Sequence, residues 1–529
     1  MSTPTFHHTP LAPPASLAGA LIAGSGPITL PPVHDVSGAT RGSGRLEAEA
    51  FGATSPALRE KLARVLNGEG LVVSTGQQPV LFLGPLYVVY KALTAIELAA
   101  QLETRLGVPV VPVFWIASDD HDWEEIGQAT FLGKDDVAST IRFDAPAGAE
   151  GRAAGSTPLG EHIGASVSEA SQLIPMSEFR DAYITLLETS YSAKHTVSEG
   201  FAATLEGVLK GCEYAWLDSA DAAVKAAAVP LFARMFEDPA SVLDSMARGE
   251  EPLTAAGFDP PIQRVQDGLP LFYDDGDRRQ RVRMTTGGGF AAGREAPEAT
   301  KDEWLGRLHG QPERFSANVA SRPVLESWLM PVAATVLGPG EIAYWSQLGP
   351  VFGHFDVPFP AIQPRASMLA VEARVEKTLD RLGLEPDALA DGGEAVAGRI
   401  TAESRPQEVD AALAALRNTI GSKMAEVGVA VARELPGLKG AVGKTEKALH
   451  DTVSRLDRQV GAAVRETEEA SLSRVRRAAA VLWPRRRPQE RVLSPFHFLG
   501  RYGDVIVEAA RERVSEFVSS SLATPTGDR

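Results

Sequence analysis

Between residues 119 and 125 the chain reads Asp119-Asp120-His121-Asp122-Trp123-Glu124-Glu125, a run of carboxylates around one imidazole. Negative charges this close repel one another unless something cationic joins them: a metal ion, a substrate ammonium group or an arginine. His121 with Asp119 or Asp122 lacks the HExxH helical spacing, and no second histidine lies near it in sequence, so no metal is predicted. The same residues also suit a helix N-terminus, where Asp and Glu favour the positive end of the dipole. A second polar run, Thr75-Gly76-Gln77-Gln78, is followed by Gly84-Pro85. It matches neither GxGxxG nor GxxxxGK[ST], which leaves a dinucleotide fingerprint and a P-loop unsupported. Gln77 and Gln78 can each donate and accept, which suits hydroxyl and amide groups. A helix starting near Pro85 would turn free backbone N–H groups toward an anion, although a tight strand-to-helix turn explains the same spacing.

The elements that must carry these runs are legible around them. Leu71 to Thr75 is a short β-branched run, Leu86 to Leu98 is amphipathic, Gly107 stops that helix, and Val108 to Ile116 is an apolar strand of the kind buried on both faces. Strand, helix, strand is a βαβ unit with a parallel sheet, and such sheets bind ligands beyond the carboxyl ends of their strands. Both polar runs therefore face one cleft. Further on, Leu325 to Leu337 is apolar, Gly338-Pro339-Gly340-Glu341 is a turn, and Phe359 to Ser367 reads as an edge strand ending in polar residues. Residues 145 to 310 are Ala-rich helical stretches and loops, read as insertions around the sheet. From 407 to 480, Val409, Leu413, Leu416, Ile420, Met424 and Val427, then Leu449, Val453, Leu456, Val460 and Val464, recur in steps of three and four. Two helices, broken at Pro436-Gly437, are expected to fold back as an antiparallel coiled coil. The arginines around Arg485 are read as capping and solubilising its end, and Val492 to Val518 as a helical return to the core.

The 529 residues suffice for several folded units, and 52 Lys+Arg against 68 Asp+Glu leave a net charge of −16 that repels nucleic acid. One cysteine, Cys212, precludes a disulfide framework or a thiolate zinc site, which fits a reducing compartment. The longest apolar run, Val108 to Ala117, is interrupted by Pro109 and Pro112, and the patch Leu17 to Gly24 has no basic segment before it. The expectation is a soluble cytoplasmic protein that binds neither membrane nor nucleic acid.

Several blocks, in order, resemble one family. They are Ser74 to Pro79, Gly84 to Tyr87, Tyr90 to Ile96, Val111 to Glu125, Phe315 to Val319, Arg322-Pro323, Leu329 to Pro331, Gly338 to Tyr344, Pro364 to Ser367 and Phe498 to Gly503. Together they are similar to the bacillithiol biosynthesis cysteine-adding enzymes, the BshC family. The resemblance implies an α/β fold: a Rossmann-like parallel-sheet core akin to class I aminoacyl-tRNA synthetases, with two connecting insertions and a long antiparallel coiled coil. It divides the chain into a lead-in (1–69), the core (70–375), the coiled coil (376–485) and a returning helical segment (486–529). It further implies a homodimer, the substrates L-cysteine and glucosaminyl-malate, an amide-forming ligase reaction that completes bacillithiol, and ATP as the expected activator.

Onto this sequence the resemblance places catalysis at Asp119, Asp120 and His121, with His121 as general base for the attacking amine. Substrate contacts fall on Thr75, Gly76, Gln77, Gln78, Gly84, Tyr87, Lys91, Trp115, Asp122 and Glu124. They continue at Asn318, Arg322, Glu341, Tyr344, Gln347, Arg365 and Ser367, with Arg365 able to grip a malate carboxylate or a phosphate. Nucleotide contacts fall on Tyr502 and Gly503. Gln77, Gln78 and Gly84-Pro85 take the place of the synthetases' HIGH loop, although the chain carries neither its histidines nor a KMSKS lysine. Two other readings compete: a non-catalytic dimeric binding protein on the same fold, and a nucleotidyltransferase or tRNA-related ligase.

Overall fold

The structure, a computed structural model, describes residues 3–36, 44–133, 136–149, 151, 153–293 and 296–523. It divides into two compact units, residues 1–370 with 490–529, and residues 371–489.

Two larger sheets of the first unit are built from β1 (Gly52–Ala53), β2 (Leu71–Gln77), β3 (Val110–Ile116), β4 (Ala215–Asp218), β5 (Gly268–Asp274), β6 (Arg279–Met284), β7 (Phe290–Ala292), β8 (Phe315–Ala317), β9 (Val332–Leu337) and β10 (Ala361–Pro364). Six of them form one sheet in the order β10-β9-β2-β3-β4-β1, parallel throughout except for the two-residue edge strand β1. The expected βαβ unit is β2, the helix α2 (Tyr87–Leu106) and β3, with Val72 opposite Val111 and Ser74 opposite Val113. Gly107 ends α2 in the left-handed conformation (φ 66°), which a residue without Cβ adopts at little cost. Every residue of β3 is buried, the pattern expected of a central parallel strand covered on both faces. β10 lies at the sheet edge, as its Pro-rich sequence predicts.

The stretch 145–310 does more than surround the sheet, because its four-residue strand β4 pairs in parallel with β3. Ala215-Trp216-Leu217-Asp218 is too short to stand out by periodicity alone. The same stretch supplies β5, β6 and β7, which with β8 form a separate antiparallel sheet in the order β7-β6-β5-β8. The lead-in is tied down by its helix α1 (Leu17–Ile22), whose Leu17 and Leu21 join the main apolar core. Near the other end, α9 (Phe496–Tyr502) and α10 (Val505–Ala523) return to the sheet, and Arg511 Nε on α10 donates to Glu97 Oε1 on α2 at 2.6 Å.

The second unit contains the antiparallel hairpin α7 (Gln407–Glu434) and α8 (Lys439–Thr467), with the turn at Pro436 to Leu438. Asp457 on α8 receives Arg405 at 2.6 Å and Arg417 at 2.7 Å, which fixes the pairing. Leu413, Val453 and Val464 are buried, whereas Leu416, Val427, Leu449 and Leu456 remain exposed. Two helices alone cover one seam and leave the flanks of a wider apolar stripe open. Among the described residues no helix is long and apolar enough to cross a membrane.

Candidate active site

Because β9, β2 and β3 are neighbours, the loops leaving their carboxyl ends converge on one cleft of about 900 Å³. Lys91, in the first turns of α2, ties the ends of β2 and β9 together. Its Nζ donates to Glu341 Oε2 at 2.7 Å, to the carbonyl of Gly76, and to Gln77 Oε1 at 3.4 Å. Burial pulls the Lys91 ammonium below its ordinary value, and the Glu341 carboxylate opposes that shift. Glu341 also accepts the Gly338 N–H at 2.8 Å, closing the start of the helix α6 (Pro339–Trp345). The tyrosine Tyr87 is pushed up by burial and by Glu125 and Glu341.

The acidic run leaves β3 as a loop in which each carboxylate has its own task. Asp119 receives Lys225 Nζ at 2.5 Å, from the helix α4 (Ala222–Glu237), while the same ammonium donates to the Phe315 carbonyl at 3.0 Å. Asp120 Oδ2 receives Gln78 Nε2 at 2.5 Å, so the two polar runs meet. The other oxygen of Asp120 accepts the His121 N–H at 2.7 Å and lies 3.7 Å from His121 Nδ1. The imidazole is 44% exposed at the cleft rim. Asp122 caps the one-turn helix α3 (Trp123–Ile126), accepting the Glu125 N–H at 3.1 Å, as an acidic residue at a helix N-terminus should.

On that turn the residue facing the cleft is Glu125, and Glu124 faces away. Adjacent helical positions differ by about 100° in direction, so a one-residue choice decides which carboxylate enters. Burial raises the Glu125 carboxyl, Asp122 and Asp120 add to the shift, and a Gln78 hydrogen bond opposes it.

The opposite wall is basic. Arg322, on α5 (Arg322–Leu329), donates to Glu326 Oε2 at 2.8 Å and to the Tyr344 hydroxyl at 3.3 Å, contacts that hold its guanidinium charged despite burial. From β6, Arg279 donates to Ser316 Oγ at 2.8 Å and to the Ala317 carbonyl at 3.0 Å, and lies 4.0 Å over the Phe272 ring. Burial lowers Arg279, while Asp119 and Asp120 oppose the shift across the cleft. Arg281 lies over the same ring at 5.3 Å.

Gly76, Gln77, Gln78, Tyr87, Lys91, Trp115, Asp119, Asp120 and His121 line the cleft. Asn318, Arg322, Glu341, Tyr344 and Arg365 line it as well. The other expected contacts lie elsewhere. Thr75 turns its hydroxyl to the Val336 carbonyl at 3.0 Å inside the sheet, and Gly84 (φ 44°) forms a turn packed on Val80. Gln347 Oε1 accepts the Ile262 N–H at 2.8 Å, bracing a loop that lines the cleft without entering it. Ser367 donates to Glu490 at 2.9 Å in the interior. Arg365 reaches the cleft wall, but both ends of its fork bind Glu490, at 2.7 and 3.0 Å, so it is not available to grip a ligand carboxylate. Tyr502 and Gly503 end α9, where Gly503 packs against the Phe179 ring and neither residue lines the cleft.

Glu125 enters the sequence reading only as the last residue of the acidic run, with no contact assigned to it, and Lys225, Phe272, Arg279 and Arg281 are absent from it. The signal available for the last two was the alternation Arg279-Gln280-Arg281, which puts two guanidiniums on one face of a strand.

At the end of β4, Asp218 accepts from the Ser118 hydroxyl and from the Ala220 N–H at 2.8 Å, yet burial holds its carboxyl above the ordinary range. The folded state therefore prefers the proton. Between the ordinary aspartate value and the raised one, the native chain holds more protons than the unfolded chain, so stability falls as pH rises through that window. Asp218→Asn is expected to flatten this slope, read as urea midpoints against pH. An unchanged slope contradicts the assignment.

Comparison with known proteins agrees with this architecture. The model for the bacillithiol biosynthesis BshC N-terminal Rossmann-like domain matches residues 46–366, and that for the BshC C-terminal coiled-coil domain matches 368–519. A Salinibacter ruber protein is 31% identical over 458 residues, covering 86% of this chain and 82% of its own. One from Koribacter versatilis is 33% identical over 470 residues (87% and 86%), and one from Geobacillus thermodenitrificans is 30% identical over 460 (86% and 84%). All three bear the name "Putative cysteine ligase BshC". With both of its units matched and the cleft built from the blocks that carry the resemblance, the chain belongs to the bacillithiol biosynthesis BshC family.

Proposed function

We propose that the protein is a cysteine ligase that joins the carboxyl group of L-cysteine to the amino group of glucosaminyl-malate and so completes bacillithiol. The observation that carries this reading is the lining of the cleft, which brings the carboxylates of Asp119, Asp120 and Glu125 together with the guanidiniums of Arg279, Arg281 and Arg322. Asp120 and Glu125 suit the ammonium of cysteine, Gln77 suits sugar hydroxyls, and the basic wall suits an anionic acceptor or co-substrate. Forming the amide expels one oxygen of the cysteine carboxylate, and ATP supplies the phosphoryl or adenylyl group that takes it away. The attacking amine must also lose a proton. His121 stands at the rim with its ring beside Asp120, and takes that proton as general base. Asp120, held by Gln78, positions the imidazole and stabilises it once charged.

Mass spectrometry of the low-molecular-weight thiols tests the reading in cells deleted for the gene. Bacillithiol is expected to vanish and glucosaminyl-malate to accumulate, with recovery on return of the wild-type gene and none with Asp120→Ala/His121→Ala. An unchanged thiol pool rejects the ligase assignment in favour of a binding role for the cleft.

A further inference from the structure

β5, β6 and β8 bring one set of side chains to the cleft. In their register Phe272 stands opposite both Arg281 and Ser316, and directly paired residues of an antiparallel ladder share a face. Arg279, two residues before Arg281, lies on that face too, and its donors are taken up by Ser316 and Ala317. Arg365 is likewise engaged by Glu490, and Arg322 by Glu326 and Tyr344. Arg281 differs: it lines the cleft and stacks on Phe272, with no hydrogen-bond or ion-pair partner among the described residues. Burial without a counter-charge lowers its guanidinium below the ordinary value.

A second observation points the same way. Asn318 is 4% exposed and lines the cleft. Its Oδ1 accepts from Ala320 N at 2.8 Å and Ser321 N at 3.1 Å, which fixes the amide orientation and leaves Nδ2 buried without an acceptor. Native structures rarely leave a buried donor unmet, because the lost solvation is not recovered. A guanidinium lacking an anion and an amide N–H₂ lacking an acceptor, on one cleft wall, are complementary to an oxyanion.

We propose that Arg281 and Asn318 form the subsite for a carboxylate of the acceptor's malyl group, and that Arg281 sets the enzyme's preference for an acidic acceptor. This rests on the ligase reading above. The guanidinium fork takes the carboxylate, Asn318 Nδ2 provides a further donor, and Phe272 holds the fork in place.

The test is steady-state kinetics of the purified full-length chain with L-cysteine, ATP and glucosaminyl-malate, each varied in turn. Arg281→Gln is expected to raise the acceptor KM by about 10- to 100-fold, while kcat and the cysteine KM move far less. Arg281→Lys should recover part of the loss. Arg283→Gln, on the same strand but paired with Asp267 outside the cleft, should leave the acceptor KM where it was. An unchanged acceptor KM in Arg281→Gln overturns the proposal. So does a rise confined to the KM for ATP, which would assign the subsite to phosphate. If the wild type forms no product, the ligase reading falls on its own, and calorimetric titration with free malate decides the subsite. Malate binding lost in Arg281→Gln upholds it, whereas binding equal in both proteins, or absent from the wild type, overturns it.

Discussion

Glu490→Ala is expected to lower the stability of the chain by about 3–5 kcal/mol, the range for removing one partner of a buried ion pair. Arg365 and Glu490 side chains are each 2% exposed, and the carboxylate receives four donors: both guanidinium nitrogens, the Ser367 hydroxyl at 2.9 Å and the Met368 N–H at 3.1 Å. Truncation leaves the Arg365 cation in the interior with one carbonyl, that of Ala366, as its remaining acceptor. Urea unfolding followed by far-UV circular dichroism reads the loss as a shift in midpoint. The pair variant Arg365→Met/Glu490→Leu should recover much of it, because removing both charges also removes their desolvation penalty. A wild-type midpoint in Glu490→Ala would show that the ion pair is not closed in solution.

The second large effect is on turnover. His121→Ala should lower kcat by about 10²- to 10⁴-fold, the usual contribution of a positioned general base. KM for L-cysteine, ATP and the acceptor should change little, since the imidazole stands half-exposed at the rim of the cleft. Asp120→Asn should also slow turnover, because it removes the charge beside the ring while Gln78 can still hold the side chain. If His121→Ala turns over at the wild-type rate, the proton leaves by another route and the base assignment fails.

These two sites show what local sequence can and cannot reveal. The β2-α2-β3 unit was legible because its signals are contiguous: an all-apolar strand, an amphipathic helix and Gly107 in a left-handed turn. The meeting of Gln78 with Asp120 followed from the rule that parallel strands present their carboxyl ends together. The pairing of Arg365 with Glu490 has no local signal, because the partner lies 125 positions away and no pattern marks Glu490 as buried. Which of Glu124 and Glu125 faces the cleft is not legible locally, because a single helical turn has too few residues for periodicity to orient it. No local signal places Arg279 and Arg281 in the cleft, because their strand belongs to an inserted sheet and only tertiary placement brings them to the same cleft as Asp119 and Asp120.

Glu490 is also the first residue of the first unit after the chain returns from residues 371–489. On the ribosome, the Rossmann sheet emerges with Arg365 uncompensated and α2 bare along the face that α10 later covers. The intervening helices can form at once from near neighbours, whereas the sheet must wait for residues 490–523 before its last charge is neutralised and its last helix is seated. A chain ending before that point carries nearly every cleft residue, but it leaves the Arg365 guanidinium without its carboxylate and α2 without the helix that packs on it.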